Sequence, residues 1–95
     1  MMPNISSFNV AYDADADVLY ITKVAGPAAR GIEDSHGIVW RYDSGGALMS
    51  ATVVDFHEFW AGRSKDLADE LSRQFHIPAN QAQVVVDRAL ELGDG

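Results

Sequence analysis

The sequence predicts an α+β domain: an antiparallel β-meander of four to five strands followed by two C-terminal helices. Three observations predict it. Short segments of alternating apolar and polar residues recur from Phe8 to Asp55, each bounded by Asp, Gly or Ser. Two of these segments end in the same pair, Tyr12-Asp13 and Tyr42-Asp43. After Gly62 the apolar period changes from two residues to one helical turn.

Phe8 to Tyr12 alternates and forms the first strand, and Asp13-Ala14-Asp15-Ala16-Asp17 is a turn in which Asp carboxylates accept local backbone N–H groups. Val18 to Thr22 is the second strand, with Val18, Tyr20 and Thr22 on one face and Leu19 and Ile21 on the other. Ala25-Gly26-Pro27 breaks it, and Arg30 to Glu33 is a short polar edge strand. Asp34-Ser35-His36-Gly37 is a turn. Ile38 to Tyr42 is a strand with Ile38, Trp40 and Tyr42 on one face. Asp43-Ser44-Gly45-Gly46 is a hairpin turn, since glycine reaches positive φ at little steric cost. Ala47 to Asp55 is the last and longest strand.

Residues 57–63 form an aromatic linker that Gly62 closes. Ser64 is the expected N-cap of the first helix, with Asp66 favoured in its first turn by the helix dipole. Leu67, Leu71 and Phe75 make its apolar stripe, and Asp69 and Arg73 are spaced for an i, i+4 pair. Pro78 opens the second helix and Gly93 is its expected stop. Ala82, Val85, Val86, Ala89 and Leu90 line the buried side of that helix. The whole chain, 1–95, is one domain: a sheet over 8–56, the linker over 57–63 and a two-helix extension over 64–93.

Composition narrows the function. Cysteine is absent, so no disulfide supports the small core and no thiolate serves as nucleophile or zinc ligand. That usage fits a reducing cytoplasm. The first seven residues show no export signal, and no segment approaches the length of an apolar membrane span. Formal net charge is -7, with three basic and eight acidic residues before Gly62 and four and six after it. A field of that sign over both halves repels nucleic-acid backbones and anionic membranes.

The run Tyr12 to Ile21 resembles the opening motif of the bacterial family known as domain of unknown function 2283: Tyr-Asp, a short acidic stretch, then Asp-Ala/Val-Leu-Tyr-Ile. Gly37 to Leu48 is similar to that family's second half, a Gly-Ile-apolar strand, Tyr-Asp, a glycine turn and an apolar strand. The resemblance spans roughly residues 8–56. It departs at Ser50-Ala51-Thr52-Val53, where the family reads Gly-Ile-Glu-Ile, and residues from Gly62 onward extend beyond the short members. It implies a small β-meander and no particular activity.

Catalytic and metal motifs fail on inspection. Asp13, Asp15 and Asp17 match the first three ligands of an EF-hand loop, but Val18 stands where the tight-turn glycine belongs and Val24 where the bidentate Glu belongs. Three neighbouring carboxylates repel, so all are expected to point into water. His57-Glu58 begins a zinc-protease motif whose second His is replaced by Ala61. His36, His57 and His76 stand about 20 residues apart on separate elements. No Gly-x-Ser-x-Gly or phosphate loop occurs. The expectation is a non-enzyme with no metal and no cofactor.

Two candidate surfaces are left. Trp40, Tyr42, Phe56, Phe59 and Trp60 gather near one end of the sheet; core packing accounts for most of them, and the remainder is a candidate interface in a two-fold dimer. The two helices also have helix-turn-helix-like spacing, which would put Asn80, Gln81 and Gln83 in a major groove with Arg88 as the one basic residue on that helix. Packing of both helices on the sheet or on a partner subunit is the favoured alternative to DNA. The sequence thus leads to a protein-interaction or regulatory module acting as a homodimer, antitoxin-like by analogy with small acidic partners of basic toxins. A DNA-binding regulator is the alternative.

Overall fold

The structure is a computed structural model, and it describes residues 8–94. The first seven residues, expected to carry no export signal, lie outside the described residues. Five strands form one antiparallel sheet: β1 (Asn9–Asp13), β2 (Val18–Thr22), β3 (Arg30–Glu33), β4 (Ile38–Tyr42) and β5 (Leu48–Val54). Two helices follow, α1 (Ser64–Phe75) and α2 (Ala79–Asp94). The α+β class is therefore as the sequence predicts.

The strand order is β1-β2-β5-β4-β3. β3, β4 and β5 form a meander, β1 and β2 form a hairpin, and β5 lies between them as the central strand beside β2. The Tyr-Asp echo acquires a geometric meaning in this order. The hairpins β1–β2 and β4–β5 lie side by side through the antiparallel β2–β5 pairing, and each Tyr-Asp pair ends the strand of its hairpin that lies away from that pairing.

The turns share one device. Asp34 Oδ1 accepts from the His36 and Ile38 N–H groups at 2.8 and 3.1 Å, and Asp43 Oδ1 accepts from Gly45 and Ala47 at 2.8 and 2.9 Å. In both Asp-Ser-x-Gly turns the fourth residue has positive φ, 85° at Gly37 and 89° at Gly46, a conformation glycine adopts without a Cβ clash.

Leu19 and Ile21 are fully buried while Tyr20 is 43 % exposed, because only one face of the sheet is covered. Ile38, Trp40, Ala51 and Val53 share the covered face with them. The helices close over it with Leu67, Ala68, Leu71 and Phe75 from α1 and Ala82, Val85, Val86 and Ala89 from α2. Phe75 meets Phe8 and Trp40 edge-on, with ring centroids 5.0 and 6.1 Å apart. Leu92 and Val84 point away from this core and are exposed.

Four local expectations are corrected. Residues 57–63 are helical rather than a linker: one π-helical turn (Phe56–Trp60) runs into one 3-10 turn (Ala61–Arg63) and then into α1. Ser64 is consequently the first residue of α1 and does not cap it; the cap position falls to Arg63, with no side-chain cap bond. Arg73 pairs with Glu70 one turn away instead of Asp69. α2 runs through Gly93 to Asp94, so that glycine does not stop it. At the other helix junction His76 takes φ 58°, where its N–H and that of Ile77 both reach the Ser72 carbonyl. Pro78 then leads into α2, its carbonyl accepting from Ala82 N–H at 3.1 Å.

The one-sided sheet makes a direct prediction. Leu19→Ala should destabilise the fold by about 2–5 kcal/mol, a large fraction of the total stability of a domain this size. Tyr20→Ala, one residue along on the open face, should cost under about 1 kcal/mol. Urea unfolding followed by far-UV circular dichroism measures both.

Candidate functional site

The end of the sheet where β2 begins and β5 finishes is where strand, turn and helix meet. Asp17 organises it. It adopts φ 57°, taking in the first hairpin the left-handed position that Gly37 and Gly46 hold in the other two turns. That conformation turns its side chain back toward the protein. Oδ1 accepts from the Tyr12 hydroxyl and the His57 N–H, both at 2.7 Å, and Oδ2 accepts from the Glu58 N–H at 3.1 Å. Its own carbonyl accepts from Phe56 N–H at 3.0 Å. The carboxylate thus caps the π-helical turn from 40 residues away in sequence, supplying acceptors to N–H groups that have no partner inside the turn.

This corrects the expectation that all three turn carboxylates face water. Asp13 makes the local turn, its Oδ1 accepting from Asp15 and Ala16 at 3.1 and 3.4 Å, whereas Asp17 is committed to a distant segment. Partial burial raises the Asp17 carboxyl pKa. The His57 amide, the Tyr12 hydroxyl and the Glu58 amide outweigh that, and the pKa lies below the ordinary aspartate value. The same hydrogen bond, then desolvation and the charges of Asp17 and Asp13, push the Tyr12 phenol up.

Asp34 is the second anchored acid. Besides the two turn amides, its Oδ2 accepts from the Trp40 indole N–H at 3.0 Å. Desolvation raises its pKa, and the bonds from Trp40, Ile38 and His36 more than offset this, leaving it below the ordinary value. These bonds place the turn that carries His36, whose ring meets Trp60 edge-on at 6.0 Å. A cleft of about 290 Å³ opens between that turn, the π-helical turn and α1. Trp60 and Phe59 form its apolar wall, and Asp66, Asp69 and the Arg73–Glu70 pair line the α1 side. Arg63 lies over the Phe59 ring at 4.7 Å. The cleft is at the lower end of the range for small-molecule sites and carries charges of both signs. Among the described residues no group of three or more His, Asp or Glu could hold a metal ion.

The candidate interface residues divide. Trp40, Phe56 and Trp60 lie in the chain's own core. Tyr42 is half-buried with the Arg30 guanidinium 5.4 Å over its ring, and Phe59 is 39 % exposed. The Trp60 indole N–H is buried and has no acceptor among the described residues. The candidate DNA contacts lie on α2: Asn80 and Arg88 are exposed, while Gln81 and Gln83 are half-buried. Gln83 donates to Asp87 at 3.0 Å, which places a carboxylate among them. No described helix is long and apolar enough to cross a membrane. Asp17 and Asp34 were not singled out as anchors in the sequence; the repeated Asp-Ser-x-Gly pattern marks Asp34 as a turn acid, while no local signal marks the 40-residue reach of Asp17. The chain matches no family model, no curated protein and no solved structure in the comparisons made.

Asp17→Asn leaves an amide N–H₂ facing donors and should destabilise the protein by about 1–2 kcal/mol, the exposure of the site discounting the usual value for a charged acceptor. The Asp17 and Asp34 carboxyls both have depressed folded-state values. Their contribution is therefore present above the ordinary value of 3.8 and lost as pH falls through the folded-state values. Between pH 7 and pH 3, thermal unfolding should show a smaller loss of Tm in Asp17→Asn than in the parent protein.

Proposed function

We propose that this chain is a non-enzymatic protein-interaction module that acts as a homodimer and engages a basic protein partner. The observation that supports it best is the open half of the sheet. Helices cover one face; the other face and the β3 edge present Tyr20 and Ile32 at 43 % and 46 % exposure, outside the core cluster. A sheet edge in solvent offers unpaired backbone donors and acceptors for pairing with another chain. The net charge of -7 favours a basic partner and speeds its encounter. An antitoxin-like role fits that charge by analogy, and the paired Tyr-Asp motifs support kinship with the domain of unknown function 2283 family.

The DNA-binding alternative has weaker support. It rests on exposed Asn80 and Arg88, and the nearby Asp87 and the acidic field both oppose phosphate contact.

Light scattering over a concentration series should show a mass rising from 10.3 kDa toward twice that value. A native pull-down should retain a basic protein. A strict monomer together with an empty pull-down would end this reading, and a salt-sensitive shift of duplex DNA would replace it with the alternative.

A further inference from the structure

We infer that β3 is the dimerisation element, pairing antiparallel with β3 of a second copy about a two-fold axis at Ile32 to give one continuous ten-stranded sheet. The inference rests on the homodimer reading above and fixes its surface and register.

β3 is an edge strand, and all four of its residues are exposed. Its side-chain faces follow from its pairing with β4: Ile32 lies opposite Trp40 on the helix-covered side, and Gly31 lies opposite Arg41 on the open side. In an antiparallel ladder alternate residues direct both N–H and C=O to the same neighbour. Asp34 N–H donates to the Ile38 carbonyl at 2.9 Å. The alternation therefore turns Arg30 and Ile32 toward β4 and leaves Gly31 and Glu33 directing their backbone groups outward.

A two-fold axis normal to the sheet keeps the helical layers of both copies on the same side. Directly opposed residues must then share a face. Centring the axis on Ile32 meets that condition and sets Gly31 opposite Glu33 of the second copy, and Glu33 opposite Gly31. Those are the residues whose backbone groups are free to bond outward. Ile32 meets Ile32 in a non-hydrogen-bonded pair, where side chains approach closest.

Charge selects the same register. Arg41 Nη1 lies 3.7 Å from where a Gly31 Cβ would stand, so the guanidinium reaches across the glycine toward the sheet edge. In the dimer, Glu33 of the second copy occupies the space beyond Gly31, within reach of that guanidinium. The symmetric contact repeats it, and Arg30 stands opposite Asp34 of the second copy on the other face. Charges on an edge strand ordinarily block pairing; here they are complementary, against a net charge that otherwise keeps copies apart. Five paired residues from each copy make a small interface, so the dimer is of the concentration-dependent class.

The chain has no cysteine, which makes single-cysteine variants clean probes. Ile32→Cys should form a disulfide-linked dimer under mild oxidation much faster than Ser44→Cys, an exposed turn position that sets the collision rate; Cα atoms of a non-hydrogen-bonded pair lie about 4.5 Å apart, within disulfide range. Glu33→Arg and Arg41→Glu should each weaken association by about tenfold in light scattering, and the double variant should restore it. Net charge alone predicts the opposite for Glu33→Arg, since that change reduces the repulsion between copies. A dimer with Ile32→Cys cross-linking at only the Ser44→Cys rate, or without rescue by the double variant, overturns the β3 register and leaves the homodimer reading standing. A monomer at every concentration overturns both, while partner capture in the pull-down is judged separately.

Discussion

Beside the apolar core that holds the helices on the sheet, one carboxylate ties the first hairpin to the start of the helical segment. Asp17 closes the first hairpin in a left-handed conformation and thereby aims its side chain at the start of the π-helical turn. Its carbonyl receives the Phe56 N–H, and its oxygens receive the His57 and Glu58 N–H groups and the Tyr12 hydroxyl. Strand, turn and helical entry are joined at a single residue. Left-handed backbone costs a non-glycine residue of order 1–2 kcal/mol, and several charge-assisted bonds offset it. The contact lies where the chain leaves β5. Asp55, also left-handed at φ 54°, completes the bend.

From that bend the aromatic residues fall into place. Phe56 is fully buried and meets Tyr12 edge-on at 5.8 Å, and Trp60 enters the core one turn later. A segment that reads as an aromatic linker is thus a helical lead-in that seals one end of the core. Phe59, between them, faces outward under Arg63. The cleft beside it has as its walls the turn that carries Asp34, the π-helical turn bonded to Asp17, and α1. Two helices of 12 and 16 residues cover the centre of a five-stranded sheet and leave β3 exposed at its edge.

Much of the fold was legible. The two-residue period of β2 and β4 separated Leu19 and Ile21 from Tyr20, and Trp40 from Arg41, because a strand facing a core on one side alternates in burial. The i, i+4 stripe Leu67, Leu71, Phe75 marked the buried side of α1 for the corresponding helical reason. Of the site, Phe59 and Trp60 were legible as a cluster, and the turn chemistry of Asp13 was legible from local spacing. Asp17 was misjudged because its partners are 40 and 41 residues away. Ser64 was misplaced as a cap because a π-helical turn has no familiar sequence signature, and Gly93 because glycine permits a helix stop without enforcing one.

By itself the sequence determined the class, the strands and helices, the two Tyr-Asp hairpins and the acidic field, since periodicity, turn residues and charge are local properties. Tertiary structure decided that β5 lies beside β2, so that the two hairpins join into one sheet. It also decided that Asp17 serves a distant segment and that β3 is left at an open edge with Arg41 reaching across Gly31. These are relations between residues far apart in the chain, and they are fixed by which surfaces must be buried together and which backbone groups must find partners.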